Sequence, residues 1–257
     1  MVSRELDSRG REVSMHTKIE FFAMAAMWGF AGISVADQTD GVVSGKVIYT
    51  GIPARPEPIN MSKQPECAKM YVKSQMSEKV VIGPENSLQN VVVYISRGEA
   101  DDSHASTEPV VFDQQGCRYT THVLVLRVGQ EVRISNSDPF SHNIHPMAKS
   151  NREWNKIQLP GTPPFSYSYE NEEFIPVKCN IHSWMNAYFV VLRTAHFAVT
   201  REDGRFELPN LPPGKYTVTA WHEVYGAQSQ EISLVDGQRL KVDFIFKSAS
   251  TGPSESH

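Results

Sequence analysis

The sequence predicts an all-β protein, folded as a sandwich or barrel. Three observations predict it. From Gly41 onward, β-branched and aromatic residues recur in short runs, several of them alternating with polar residues. Turn dipeptides fall between the runs, as at Val128-Gly129, Asp203-Gly204, Pro213-Gly214 and Asp236-Gly237. No amphipathic stretch persists beyond two helical turns. Many short strands at such spacing fit a sandwich or barrel. The 257 residues allow one large domain or two ordinary ones. A formal net charge of -4 supplies no basic field and excludes nucleic acid as a natural partner.

In chain order, residues 1–36 read as a signal peptide. Lys18 precedes an apolar run from Phe21 to Val35, which ends in the small residues of Ser34-Val35-Ala36. The polar stretch before Met15 leaves the start open between Met1 and Met15. The run is too short to span a bilayer comfortably, and no later segment is long enough. The mature chain is therefore expected to have no membrane span and to be periplasmic or secreted, where disulfides persist.

Val42 to Thr50 alternates as a strand, with Gly45 and Gly51 as punctuation. Asn90 to Ser96 is a short, continuously apolar buried strand. Residues 98–109 are polar and acidic, a linker. Thr121 to Arg127 and Gln130 to Asn136 flank the Val128-Gly129 turn, and Phe165 to Tyr169 alternates aromatic with serine. Tyr188 to Leu192, Arg205 to Leu208, Lys215 to Trp221, Glu231 to Val235 and Leu240 to Phe246 are further strands. Residues 248–257 form a polar, disordered tail.

The sharpest chemical signal is Cys179-Asn180-Ile181-His182-Ser183-Trp184-Met185, set between the strand runs Phe174 to Lys178 and Tyr188 to Leu192. Upstream, Asn136-Ser137-Asp138-Pro139-Phe140-Ser141-His142-Asn143 follows a strand. One thiolate, two imidazoles and a thioether form a soft donor set that selects copper and serves both of its oxidation states.

These segments resemble the cupredoxins, the blue copper electron-transfer proteins. Asn136 to His142 has the family's Asn-x5-His spacing, and Cys179-x2-His182-x2-Met185 matches its short-loop form. The likeness covers Val110 to Leu192, with Ala187 where glycine is usual. It implies one type 1 copper ion held by His142, Cys179 and His182, with Met185 as the axial ligand. It also implies that Asn143 hydrogen-bonds across to the ligand loop and that His182 is the exposed exit for the electron. His145 is an extra histidine, expected to point away from His142 and to be exposed. Trp184 is expected to shield the metal, form a docking face or simply pack.

With Cys179 assigned to copper, Cys67 and Cys117 remain as the candidate disulfide. Two free thiols, or a metal site with His122, stay open as alternatives. The stretch Phe197 to Val218 resembles the carboxypeptidase regulatory-like domain, a transthyretin-like sandwich. That family's opening strand is matched by Gly41-Val42-Val43-Ser44-Gly45-Lys46-Val47, far upstream. The expected architecture is a cupredoxin Greek-key sandwich at residues 110–194, set inside a discontinuous sandwich of residues 41–97 and 195–247. In the outer sandwich, His222 and Glu223 are expected to pair with each other or to face the copper domain.

The expected function is that of a non-enzymatic, one-electron carrier between periplasmic redox proteins, such as a cytochrome or a dehydrogenase. A copper-binding carrier or sensor is the alternative. A cell-surface module with a vestigial site is a second.

Overall fold

The computed structural model describes residues 39–52, 55–100, 102 and 106–247. The expected signal peptide and tail lie outside them. The strands, in chain order, begin with β1 (Gly41–Thr50), β2 (Val92–Arg97), β3 (Val110–Gln114) and β4 (Val123–Arg127). Next come β5 (Val132–Asn136), β6 (His142–Pro146), β7 (Lys156–Gln158), β8 (Phe165–Tyr167), β9 (Glu173–Lys178) and β10 (Asn186–Leu192). The last are β11 (Phe197–Val199), β12 (Arg205–Leu211), β13 (Gly214–His222), β14 (Gly226–Leu234), β15 (Arg239–Lys241) and β16 (Phe244–Lys247). A short α-helix, α1 (Pro65–Ala68), and a 3-10 turn at Pro84–Asn86 lie between β1 and β2.

The strands form two pairs of sheets, so the fold is all-β. The sheet β12-β1-β15, with β16 also on β1, shares a core with β11-β2-β13-β14. Val43, Val47 and Phe244 from the first sheet meet Val93 and Val218 from the second. The sheet β4-β10-β9-β6-β7 shares a separate core with β3-β5-β8. There Ile144, Ile175 and Phe189 meet Phe112 and Ile134. The chain thus leaves the outer pair after β2 and returns to it at β11.

A third cluster joins the two. Val91, Val93 and Ile95 face the outer core, whereas Val92 and Tyr94 face the junction. In β10, Phe189 and Val191 face the inner core, whereas Tyr188, Val190 and Leu192 face the junction. Successive strand residues point to opposite faces. Strands covered on both faces need apolar residues at every position, which is why both segments read as continuous apolar runs.

Among the strand boundaries that differ from the sequence pattern, three have a plain cause. β1 runs unbroken through Gly45. A Cβ there would lie 1.8 Å from the Val242 carbonyl oxygen, so this glycine admits a close backbone crossing and ends nothing. The run Leu240 to Phe246 is broken at Val242-Asp243, where Asp243 Oδ1 accepts the Lys46 N–H at 2.9 Å. β14 begins earlier than its apolar residues suggest, because it is an edge strand in which Gln228 and Gln230 donate to the carbonyls of Ile245 (2.9 Å) and Asp243 (2.8 Å) instead of packing apolar side chains.

Residues 59–71 leave the outer core altogether. Ile59, Met61, Cys67 and Tyr71 pack with Cys117, Phe140 and Trp184, beside the loop that follows β9.

Candidate metal centre

The first histidine is set by the turn between β5 and β6. Asn136, the last residue of β5, donates from Nδ2 to the carbonyls of Phe140 (2.8 Å) and Gln158 (3.0 Å). Its Oδ1 accepts the Asp138 N–H at 3.1 Å. Those bonds close the turn and start β6 at His142, whose side chain is fully buried. His142 therefore opens a strand that the alternation pattern did not reveal.

The second and third donors come from the loop between β9 and β10. The loop is closed on itself: the Cys179 N–H donates to the Met185 carbonyl at 3.0 Å, and the Met185 N–H to the His182 carbonyl at 2.9 Å. The His182 N–H also points at Cys179 Sγ, 3.4 Å away. Asn143 ties this loop to β6, because its Oδ1 accepts the Asn180 N–H and its Nδ2 donates to Asn155. Its backbone carbonyl accepts the Tyr119 hydroxyl at 2.8 Å.

The donor atoms converge. His142 Nδ1 lies 3.0 Å from His182 Nδ1, and Cys179 Sγ lies 3.7 Å from the same His182 nitrogen. The ligand atoms of all three residues fall within 4.8 Å of one another. Cys179 is the free cysteine and is buried. Met185 is buried in the same core cluster as Cys179 and Trp184.

Burial lowers the His142 pKa despite the raising effect of Asp138. Burial, with His142 close by, takes His182 down to about 4. Both rings are therefore neutral near pH 7, the state a ligating nitrogen needs. His142 Nε2 lies 2.8 Å from Asp138 Oδ2, which places the ring proton on Nε2 and leaves the Nδ1 lone pair facing His182. Two facing lone pairs and a thiol are stabilised by a shared cation or proton.

Asp138 stands in the Asn136 to His142 run without a role that the motif assigns. Its carboxylate also accepts the N–H groups of Gly116 (2.7 Å) and Cys117 (2.6 Å). These residues have φ values of +69° and +51°, and this left-handed pair aims two successive N–H groups at one anion. The i, i+4 spacing of Asp138 and His142 was the available signal.

Cys67 and Cys117 form a disulfide with Cα atoms 5.7 Å apart. Cys67 Sγ lies 3.5 Å from His182 Nε2, and the Trp184 ring centroid lies 5.2 Å from that of His182. Trp184 Nε1 donates to the Cys117 carbonyl at 2.9 Å. The expected exposed exit at His182 is corrected by this cover: His182 is only 3% exposed. His145 is corrected likewise. It points away from His142, yet it is partly buried, with Nε2 2.6 Å from Glu153 and Nδ1 3.4 Å from Asn180 of the ligand loop. His122 stands apart from the disulfide and pairs with Glu223. Glu223 therefore reaches the inner sandwich, while His222 accepts the Val224 N–H at 3.1 Å instead of pairing with it.

Residues 186–247 match the profile of the carboxypeptidase regulatory-like domain, a match that begins in β10. Comparison with curated proteins gives no match. Among solved structures, the chain is similar to a Cu-containing nitrite reductase (NirK) from Thermus scotoductus SA-01, at 19% identity and TM-score 0.31. That alignment covers 32% of this chain and only 22% of the reductase. An oxidised amicyanin variant aligns at 19% identity and TM-score 0.30, over 38% of this chain and 97% of its own. A purple cupredoxin from Nitrosopumilus maritimus aligns at 20% identity and TM-score 0.28, over 32% and 98%. Residues 186–247 thus match the carboxypeptidase regulatory-like family, and cupredoxins are among the solved structures this chain resembles.

Proposed function

We propose that this chain is a mononuclear type 1 copper protein that carries single electrons between redox proteins outside the cytoplasm. One observation carries the reading: His142 Nδ1, His182 Nδ1 and the unpaired Cys179 thiol meet within 4.8 Å, and all three residues are buried. Met185 closes the same loop and would supply the weak axial sulfur. This soft donor set favours copper over harder divalent ions. Copper, when bound, would supply a one-electron couple.

The chain's own residues would hold and tune it. Asp138 fixes the His142 ring through Nε2 and Asn143 pins the ligand loop, the kind of support that orients ligands and sets metal affinity. A buried disulfide fits an oxidising compartment, periplasmic or extracellular. The redox partners would be proteins such as a cytochrome or a dehydrogenase. The reading is of an electron carrier, not an enzyme. Residues 41–97 and 195–247 would form one discontinuous domain, with residues 110–194 as the copper domain.

The cover over His182 favours a second reading, a copper carrier or sensor, because the imidazoles of His142 and His182 are both buried away from a docking partner. Repeated reduction and reoxidation of the copper-loaded protein beside a competing Cu(I) chelator separates the two. A shuttle keeps its copper and regains its colour in each cycle. Progressive loss of copper to the chelator would instead establish the carrier.

A further inference from the structure

We propose that Cys67 and Cys117, once their disulfide is reduced, form with His182 a second soft-metal site that takes Cu(I). The donor atoms of these three residues lie within 4.8 Å of one another, and all three residues are buried. Cys67 Sγ faces His182 Nε2 at 3.5 Å, the opposite ring nitrogen from the one that faces His142 and Cys179. Two thiolates and an imidazole suit Cu(I) better than hard cations. The site does not require the first one to be occupied, because it uses the other edge of the ring.

Both cysteines are held by bonds that do not depend on the sulfur–sulfur link. The Cys117 N–H is bound to Asp138 at 2.6 Å, and its carbonyl accepts Trp184 Nε1 at 2.9 Å. The Tyr71 hydroxyl donates to the Gly116 carbonyl at 2.6 Å and fastens the covering segment to the Cys117 turn. The Cys67 N–H donates to the Gln64 carbonyl at 3.1 Å, and the Cys67 carbonyl accepts the Met70 N–H at 3.2 Å. Opening the disulfide therefore leaves both sulfurs beside His182.

The opening step balances with a dithiol as reductant. The dithiol gives two electrons and two protons to the sulfur–sulfur bond and leaves as its own cyclic disulfide. The two new thiols release their protons to solvent as Cu(I) enters. In an oxidising compartment the site would be closed, and a dithiol protein would open it.

The test uses the full chain carrying Cys179→Ser, which removes the thiolate of the first site. The protein is reduced with dithiothreitol, freed of it without air, and titrated with Cu(I) against a chromogenic Cu(I) chelator. The expected result is one further tightly held Cu(I) per chain after reduction, above what the disulfide-intact variant retains on its histidines, with both thiols shielded from a thiol reagent. Adding Cys67→Ser should abolish that gain, and adding His182→Gln should weaken it at least 10-fold. Reduced Cys179→Ser that is folded by near-ultraviolet circular dichroism, yet retains no more copper than before reduction, overturns the proposal. So does a gain indifferent to His182→Gln, or loss of the fold on reduction, since the native scaffold would not then hold the site. Failure of the type 1 reading shows separately, as oxidised wild-type protein that gains no colour with Cu(II).

Discussion

Asp138 accepts hydrogen bonds from the Gly116 N–H, the Cys117 N–H and the His142 ring. It thereby links one proposed copper ligand to the backbone that carries the disulfide. Replacing it with asparagine keeps the size but sets an amide group among three donors. Asp138→Asn should weaken copper binding by about 10- to 100-fold, the usual effect of losing such a support. Chelator competition on protein that remains folded checks this, and an unchanged affinity would contradict it. His222 carries a different prediction. Its Nδ1 accepts the Val224 N–H, so its proton sits on Nε2, which is buried without a partner. Burial, with His122 near, holds its pKa at about 4. The unfolded chain takes up this proton near pH 6.5 and the folded chain only near 4, so acid favours unfolding across that window. The stability lost should reach roughly 3 kcal/mol at pH 4, with none lost above pH 6.5. Urea unfolding from pH 7.5 to 4.5 measures the slope. His222→Asn, which keeps the acceptor, should lessen the slope by this share and leave that of buried His142 and His182, and an equal slope in the variant would refute the assignment.

At the scale of elements, the loop from Cys179 to Met185 was legible because its donors are close in sequence and chemically unusual. The turn from Asn136 to His142 was legible by its spacing. The cover over them was not. Residues 59–71 carry no ligand motif, and Cys67 meets His182 across a separation of 115 residues. Pairing Cys67 with Cys117 by elimination gave the bond without its position, so the burial of His182 could not be foreseen. The disulfide spans 50 residues, and constraining a loop of that length is worth about 4 kcal/mol in the chain-entropy account. The double variant Cys67→Ser and Cys117→Ser should lose a large part of that in urea unfolding. A loss below about 1 kcal/mol would contradict the chain-entropy account of this bond.

For the molecule as a whole, β10 read only as a further strand, and the apolar run in β2 announced a buried strand but could not name the second partner. The structure supplies it: the two sandwiches bury these strands against each other. Phe174 and Trp221 meet there at 4.5 Å between ring centroids, and Tyr188 and Trp221 at 5.2 Å. The described residues accordingly form one compact unit. Calorimetry should show a single cooperative transition. Leu192→Ala, which opens a cavity in the shared cluster, should lower it as one by about 2–5 kcal/mol. Two separately resolved transitions would show that the sandwiches unfold independently. All of these expectations surround one claim, that the histidine, cysteine and methionine side chains of the inner sandwich hold a single copper ion. The most direct measurement is a Cu(II) titration of the folded, disulfide-intact protein, followed by visible absorption. The account predicts an intense thiolate-to-copper band that saturates at one equivalent and is absent from Cys179→Ser. Folded wild-type protein that binds no copper, or binds it without that band, would contradict it.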